Sequence, residues 1–199
     1  MITVLTAPRT GSTWFCEYLL NLHNLTNLDE FFEDDKWNSP LAQAQGLTYL
    51  EQTPNIIFKV FPNHLLDYGD KLFGKHTSRR PNFSKNVLEL QGKKYILTRK
   101  DFYAQCKSHY IASITLHFSG KPRKTEHLIF NAFWWKRTVD YLTDCYTILG
   151  QYNKEYDCEL IDYSELSFTT TPQSKKYIRP VTWDQEPPVP DIDISKFFD

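Results

Sequence analysis

The sequence predicts an α/β domain, a three-layer sandwich with a central parallel sheet. Three observations carry that expectation. Four short apolar runs, Ile2–Thr6, Asn55–Phe61, Lys94–Thr98 and Cys158–Tyr163, are near-continuous rather than alternating, as strands buried on both faces are. Segments of helical periodicity separate them, and strand–helix alternation argues a parallel sheet with right-handed crossovers. The charged residues of most interest fall just after the strands, where ligands bind in such sheets.

The first strand, Ile2–Thr6, feeds a tight turn, Pro8-Arg9-Thr10-Gly11-Ser12-Thr13, and then an amphipathic helix over Thr13–Leu22. A strand, a glycine-containing turn and a helix N-terminus together make a phosphate site. The opening N–H groups of a helix lack intrahelical partners, and the helix dipole favours an anion there. Arg9 adds a fixed positive charge, and Ser12 and Thr13 add hydroxyl donors. The turn is therefore P-loop-like, a candidate phosphate- or sulfate-binding turn, yet it is not the GxxxxGK[ST] loop. Ser12 follows Gly11 where that loop has lysine, Thr6 stands where it opens with glycine, and the basic residue precedes Gly11 by two. The simpler alternative is a turn in which Ser12 caps the helix.

Leu25–Asn38 is acidic and aromatic, and is expected to cross the mouth of the site. A helical pattern at about Pro40–Glu51 leads into the second strand, Asn55–Phe61, and a helix over Pro62–Phe73 follows it. Lys59 lies within this buried strand, a costly place for an ammonium unless it reaches a partner. Gly74–Lys85 is basic and turn-rich. The third strand, Lys94–Thr98, ends at Arg99, and Asp101 is placed to cap a helix reaching Phe118. On that helix Gln105 and Ser108 sit on neighbouring turns, with His109 four residues after Gln105. A long helix is expected from about Glu126 to Gln151, carrying Trp134 and Trp135 as core or lid residues, before the last strand. Beyond Phe168 prolines accumulate and periodicity is lost, so residues 1–199 read as one domain with an irregular tail over its surface.

A chain of 199 residues with 16% aromatic content is large enough for a proper core. The formal net charge of −1 gives no global attraction for nucleic acid or an anionic membrane, so an anion site must be local. Cys16, Cys106, Cys145 and Cys158 show neither CxxC nor zinc spacing, and each reads as a buried reduced thiol. No metal site is expected. No apolar run of about 18 residues is present. With strand residues from Ile2, no signal peptide is expected, the sequons at Asn24 and Asn82 read as accidental, and the expected compartment is the cytoplasm.

Pro8, Arg9, Gly11, Ser12, Thr13 and Trp14 resemble the 5′-phosphosulfate loop of the PAPS-dependent sulfotransferases, roughly Pro-Lys/Arg-x-Gly-Ser/Thr-Thr-Trp. Arg99, Asp101, Gln105 and Ser108 resemble the R-x-D-x-x-x-Q-x-x-S pattern of the bacterial trehalose 2-sulfotransferase type. The likeness runs from Ile2 to about Leu166, where Leu160–Leu166 is similar to the late YEDL segment. It implies sulfuryl transfer from PAPS to a hydroxyl or amine acceptor, a carbohydrate or small molecule, with release of 3′,5′-ADP and no metal. Arg9, Thr10, Gly11, Ser12 and Thr13 would hold the 5′-phosphosulfate, with Trp14 on adenine or in the core. Arg99 and Ser108 would hold the 3′-phosphate, and Lys59 would neutralise charge on the bridging oxygen.

The base is the least determined role. The cytosolic enzymes carry histidine two residues after the lysine, where this chain has Phe61. Glu30, in Leu28-Asp29-Glu30-Phe31-Phe32, matches the glutamate of the trehalose type, and His64, one turn beyond Phe61, is the second candidate. The surrounding Asp29, Glu33, Asp34 and Asp35 read as a solvated acidic face. Lys175, Lys176 and Arg179 stand where larger members carry a basic loop, without its R-K-G form. Phe31, Phe32 and Trp37 would suit a sugar or a phenol. Two other readings stay open: a P-loop kinase acting on a small molecule, and a non-catalytic nucleotide- or glycan-binding relic of the fold.

Overall fold

The computed structural model describes residues 1–32, 39–65, 83–115, 126–166 and 181–199. Trp37, the stretch from Gly74 to Asn82, the basic residues Lys175, Lys176 and Arg179, and the ends of two expected helices lie outside them. In chain order the elements are β1 (Ile2–Thr6), α1 (Ser12–His23), β2 (Thr26–Asn27), α2 (Pro40–Gln52), β3 (Ile56–Val60) and α3 (Pro62–Leu65). Then come α4 (Phe83–Leu88), β4 (Lys93–Thr98), α5 (Phe102–Thr115), β5 (Glu126–Leu128), α6 (Ala132–Glu155), β6 (Glu159–Asp162) and β7 (Val181–Trp183).

A five-stranded sheet runs in the order β2-β3-β1-β4-β6, each neighbouring pair parallel. β1, β3 and Tyr95–Thr98 of β4 are buried throughout because both faces are covered, whereas β6, expected to be buried likewise, is an edge strand with Leu160 45% exposed. On one face Ile2 and Val4 of β1, Ile57 of β3, and Tyr95 and Leu97 of β4 meet Phe15, Cys16 and Leu19 of α1. On the other, Leu5, Phe58 and Ile96 join Cys106 and Tyr110 of α5 and Leu142, Cys145, Tyr146 and Leu149 of α6. The chain is thus α/β, a parallel sheet between helical layers. Each of these large side chains contributes roughly 1.5–3 kcal/mol by leaving water.

The sheet brings its C-terminal strand ends into register, with Leu5 opposite Val60, Thr6 opposite Leu97 and Thr98 opposite Asp162. Everything that follows β1, β3, β4 and β6 therefore emerges along one edge.

The C-terminal half departs from expectation at two places. Glu126–Leu128 is a strand rather than the start of the long helix, pairing in parallel with β7. Asn131 caps α6 by accepting the Trp134 N–H at 3.1 Å, which delays the helix to Ala132. Beyond β7 the tail does more than cross the surface. It ends in a 3₁₀ helix, Ile194–Phe197, whose Ile194 is buried in the larger core. The Phe197 carbonyl lies where a Cβ on Gly150 of α6 would stand, at 2.1 Å, so the tail seats against the helix at its one position without a side chain. Among the described residues, no helix is long and apolar enough to cross a membrane.

Candidate functional site

The turn after β1 is tight because two of its residues take left-handed backbone, Arg9 at φ 66° and Gly11 at φ 92°. For Gly11 that conformation costs little; for Arg9 it stores strain of about 1 kcal/mol or more, which the surroundings must hold. Gly11 is also required by space, since a Cβ there would stand 2.2 Å from the Tyr163 ring. Gly11, not Ser12, occupies the cap position of α1, and no side chain caps the helix. Ser12 is then the first residue of the helix, and its N–H and that of Thr13 have no intrahelical acceptor. Below the turn, Thr6 and Thr10 bond through their hydroxyls, and Thr6 reaches the Leu97 carbonyl at 3.2 Å. Trp14 is buried edge-on against Tyr163, with ring centroids 5.3 Å apart.

The turn and the β4–α5 junction are one assembly. Arg9 Nε donates to Ser108 Oγ at 2.9 Å, and Arg99 donates from Nη1 to the Arg9 carbonyl at 3.2 Å. Asp101 caps α5 as expected, accepting the Ala104 N–H at 2.9 Å. Gln105, fully buried, donates to the Pro8 carbonyl at 2.7 Å and accepts from the Tyr146 hydroxyl at 2.8 Å. That hydroxyl in turn accepts the Arg99 N–H at 3.2 Å. One residue of α5 and one of α6 thus fix both cationic segments. Asp162, buried at the end of β6, supports the same edge by accepting from the Lys100 N–H at 2.9 Å and the Thr98 hydroxyl at 3.2 Å.

Lys59 is the third component. Its side chain is 4% exposed, and Nζ lies 2.9 Å from each of Asp29 Oδ1, Glu30 Oε1 and Thr13 Oγ1. The burial cost anticipated for a lysine in this strand is met by two carboxylates. Burial alone would lower its proton affinity, but Glu30 and Asp29 more than offset this and hold it above the usual lysine value. An ammonium has three N–H donors, and here all three have partners. Asp29 is itself in left-handed backbone at φ 51°, and its carbonyl accepts the Lys59 N–H at 2.9 Å. Its side chain is 65% exposed, against 21% for Glu30.

His64 is buried at the start of α3, where Nδ1 accepts the Phe61 N–H at 3.4 Å and the ring sits 4.9 Å from that of Phe61. His109 of α5 and Tyr141 of α6 pack against each other, with ring centroids 5.2 Å apart. His109 hydrogen-bonds Ser113 Oγ at 3.2 Å; burial, and secondarily the Arg9 charge, pull it down to about 4. The Tyr141 hydroxyl donates to Asn63 Oδ1 at 3.0 Å.

The structure thus joins Arg9, Arg99 and Ser108 in one cluster and Thr13, Lys59 and Glu30 in another, with the Arg9–Thr13 turn shared between them. His64 is seen paired with Phe61, just after β3. Sequence reasoning did not single out Asp29, read as part of a solvated acidic face, nor Tyr146, which nothing local marks; Tyr163 fell within the Leu160–Leu166 segment without a role of its own. The hollow of about 400 Å³ lined by Met1, Glu51 and Leu90 shares no residue with either cluster. No family model matches the chain, and no curated protein matches it.

Proposed function

We propose that the chain is a PAPS-dependent sulfotransferase, transferring the sulfuryl group to a hydroxyl or amine of a carbohydrate or small molecule. One observation carries this reading: the two segments with the family's phosphate-binding patterns meet, through Arg9 to Ser108 and Arg99 to Arg9. A donor with phosphates at two ends needs two such segments on one surface, and a monophosphate site does not. The donor set also suits a polyanion, with two guanidiniums, three hydroxyls and the opening amides of α1.

PAPS supplies an activated sulfuryl group: a new S–O bond to the acceptor forms as the bridging S–O bond breaks, and 3′,5′-ADP leaves. For this chain the work is positioning and electrostatics. Arg9, Ser12 and Thr13, with the amides of Gly11–Thr13, hold the phosphosulfate end, and Arg99 and Ser108 hold the 3′-phosphate. Lys59 stays protonated beside Glu30 and stabilises charge on the leaving oxygen. Glu30 takes the acceptor proton. Its neutralisation removes one negative charge from beside Lys59 as negative charge develops on the leaving group. The two events therefore assist each other across 2.9 Å. His64, engaged by the Phe61 N–H, is the less well placed base.

The test is release of 3′,5′-ADP from PAPS across a panel of hydroxyl and amine acceptors. Turnover with at least one acceptor is expected, and Glu30→Gln should lower kcat by about 100-fold or more, with 3′,5′-ADP affinity unchanged. Magnesium-dependent ATP consumption without PAPS turnover would replace this reading with a kinase. Wild-type rates in Glu30→Gln would move the base elsewhere.

A further inference from the structure

Lys59 poses a problem for the transfer just described, because the ammonium that must meet a sulfuryl oxygen has no N–H to spare. Its three donors go to Thr13 Oγ1, Asp29 Oδ1 and Glu30 Oε1, each at 2.9 Å. With the side chain 4% exposed, water cannot supply a fourth direction of approach. An incoming anionic group must therefore replace one of the three partners.

The partners are not equally replaceable. Thr13 lies in the first turn of α1, its backbone fixed by the helix. Glu30 is mostly covered. Asp29 is 65% exposed, so its carboxylate regains hydration on turning outward while its backbone stays pinned to β3 through the Lys59 N–H. It is also a carboxylate, the same charge class as the group that would take its place. Two carboxylates and one ammonium leave this point net negative, which repels a phosphosulfate until one of them withdraws.

We propose that Asp29 is a positioning residue that occupies the sulfuryl subsite of Lys59 in the empty protein and is exchanged outward when the donor binds. This rests on the sulfotransferase reading above. Asp29 keeps Lys59 charged and aimed along the sheet edge before the donor arrives. It also discriminates, since a ligand with an anionic group at the sulfuryl position displaces it most. The 3′,5′-ADP product keeps the leaving oxygen but lacks the sulfuryl oxygens, so it presents fewer anionic atoms to Lys59 and displaces Asp29 less. The exchange therefore lowers donor affinity more than product affinity, whereas a purely structural ion pair would shift the two alike.

Calorimetry without acceptor, using PAPS and 3′,5′-ADP separately, reads this difference. Asp29→Asn suits the left-handed backbone, because asparagine tolerates φ near +50° better than most residues. Asp29→Gly keeps the same backbone with no side chain at all. Both variants are expected to bind PAPS more tightly, by about threefold or more, with a smaller gain for 3′,5′-ADP. Equal changes for the two ligands, or none for PAPS, would overturn the exchange while leaving the donor site standing. Failure of wild type to bind either nucleotide would overturn the site and the exchange together.

Discussion

Burial against Tyr141 and the nearby Arg9 charge hold His109 neutral in the folded chain, and that has a measurable pH signature. Its folded pKa of about 4 lies below the ordinary value of 6.5, so the unfolded state takes the proton first as pH falls. The stability that a neutral His109 permits is fully present above about 6.5 and is lost as pH falls toward 4. Between pH 8 and pH 5 this residue should account for about 2 kcal/mol of lost stability. Urea unfolding at the two pH values reads it directly, and His109→Gln should flatten the dependence; an identical dependence in the variant contradicts this assignment. At this scale the sequence reveals residue types but not their company. Lys59 announces itself, because a charge inside an apolar run needs a partner. Its tie to both Asp29 and Thr13 does not, since loop and helix meet only once the sheet has formed.

Helices α5 and α6 brace the two segments proposed to bind the donor, and the brace passes through Gln105 and Tyr146. The Tyr146 hydroxyl joins Gln105 Oε1 to the Arg99 N–H, while Gln105 Nε2 holds the Pro8 carbonyl. Tyr146→Phe removes no bulk but leaves a buried carbonyl oxygen and an amide without this partner, at a cost of about 1–3 kcal/mol. It should also weaken 3′,5′-ADP binding, although Tyr146 is not expected to touch the nucleotide. Denaturation and calorimetry on this variant check both effects; full affinity with reduced stability would make the brace structural only. Elements are the scale at which the sequence is most readable. Continuous apolar runs locate β1, β3 and β4 to within a residue or so because both faces of these inner strands are covered, and β6 equally closely although its Leu160 is exposed at the sheet edge. Strands as short as β2, β5 and β7 carry no such pattern. They exist because a neighbouring strand offers unpaired hydrogen-bonding groups, so a helix was expected where Glu126–Leu128 pairs with Val181–Trp183.

For the whole molecule, the strand order β2-β3-β1-β4-β6 puts β1 between the two arms of the sheet. The turn after β1 therefore has Lys59 and Glu30 on one side and Arg99 and Ser108 on the other. In sequence these residues are up to 99 positions apart, as Arg9 and Ser108 are. Motif order along the chain suggests the grouping, and only the topology makes it one surface. Binding of 3′,5′-ADP to wild type, Arg9→Ala and Arg99→Ala, followed by calorimetry, asks whether that surface holds a bis-phosphorylated nucleotide. Wild type should bind, and each substitution should weaken binding by about 10-fold or more, the cost of losing one charged hydrogen-bonding group. Unchanged affinity in both variants, or no binding by wild type, would contradict the proposed function.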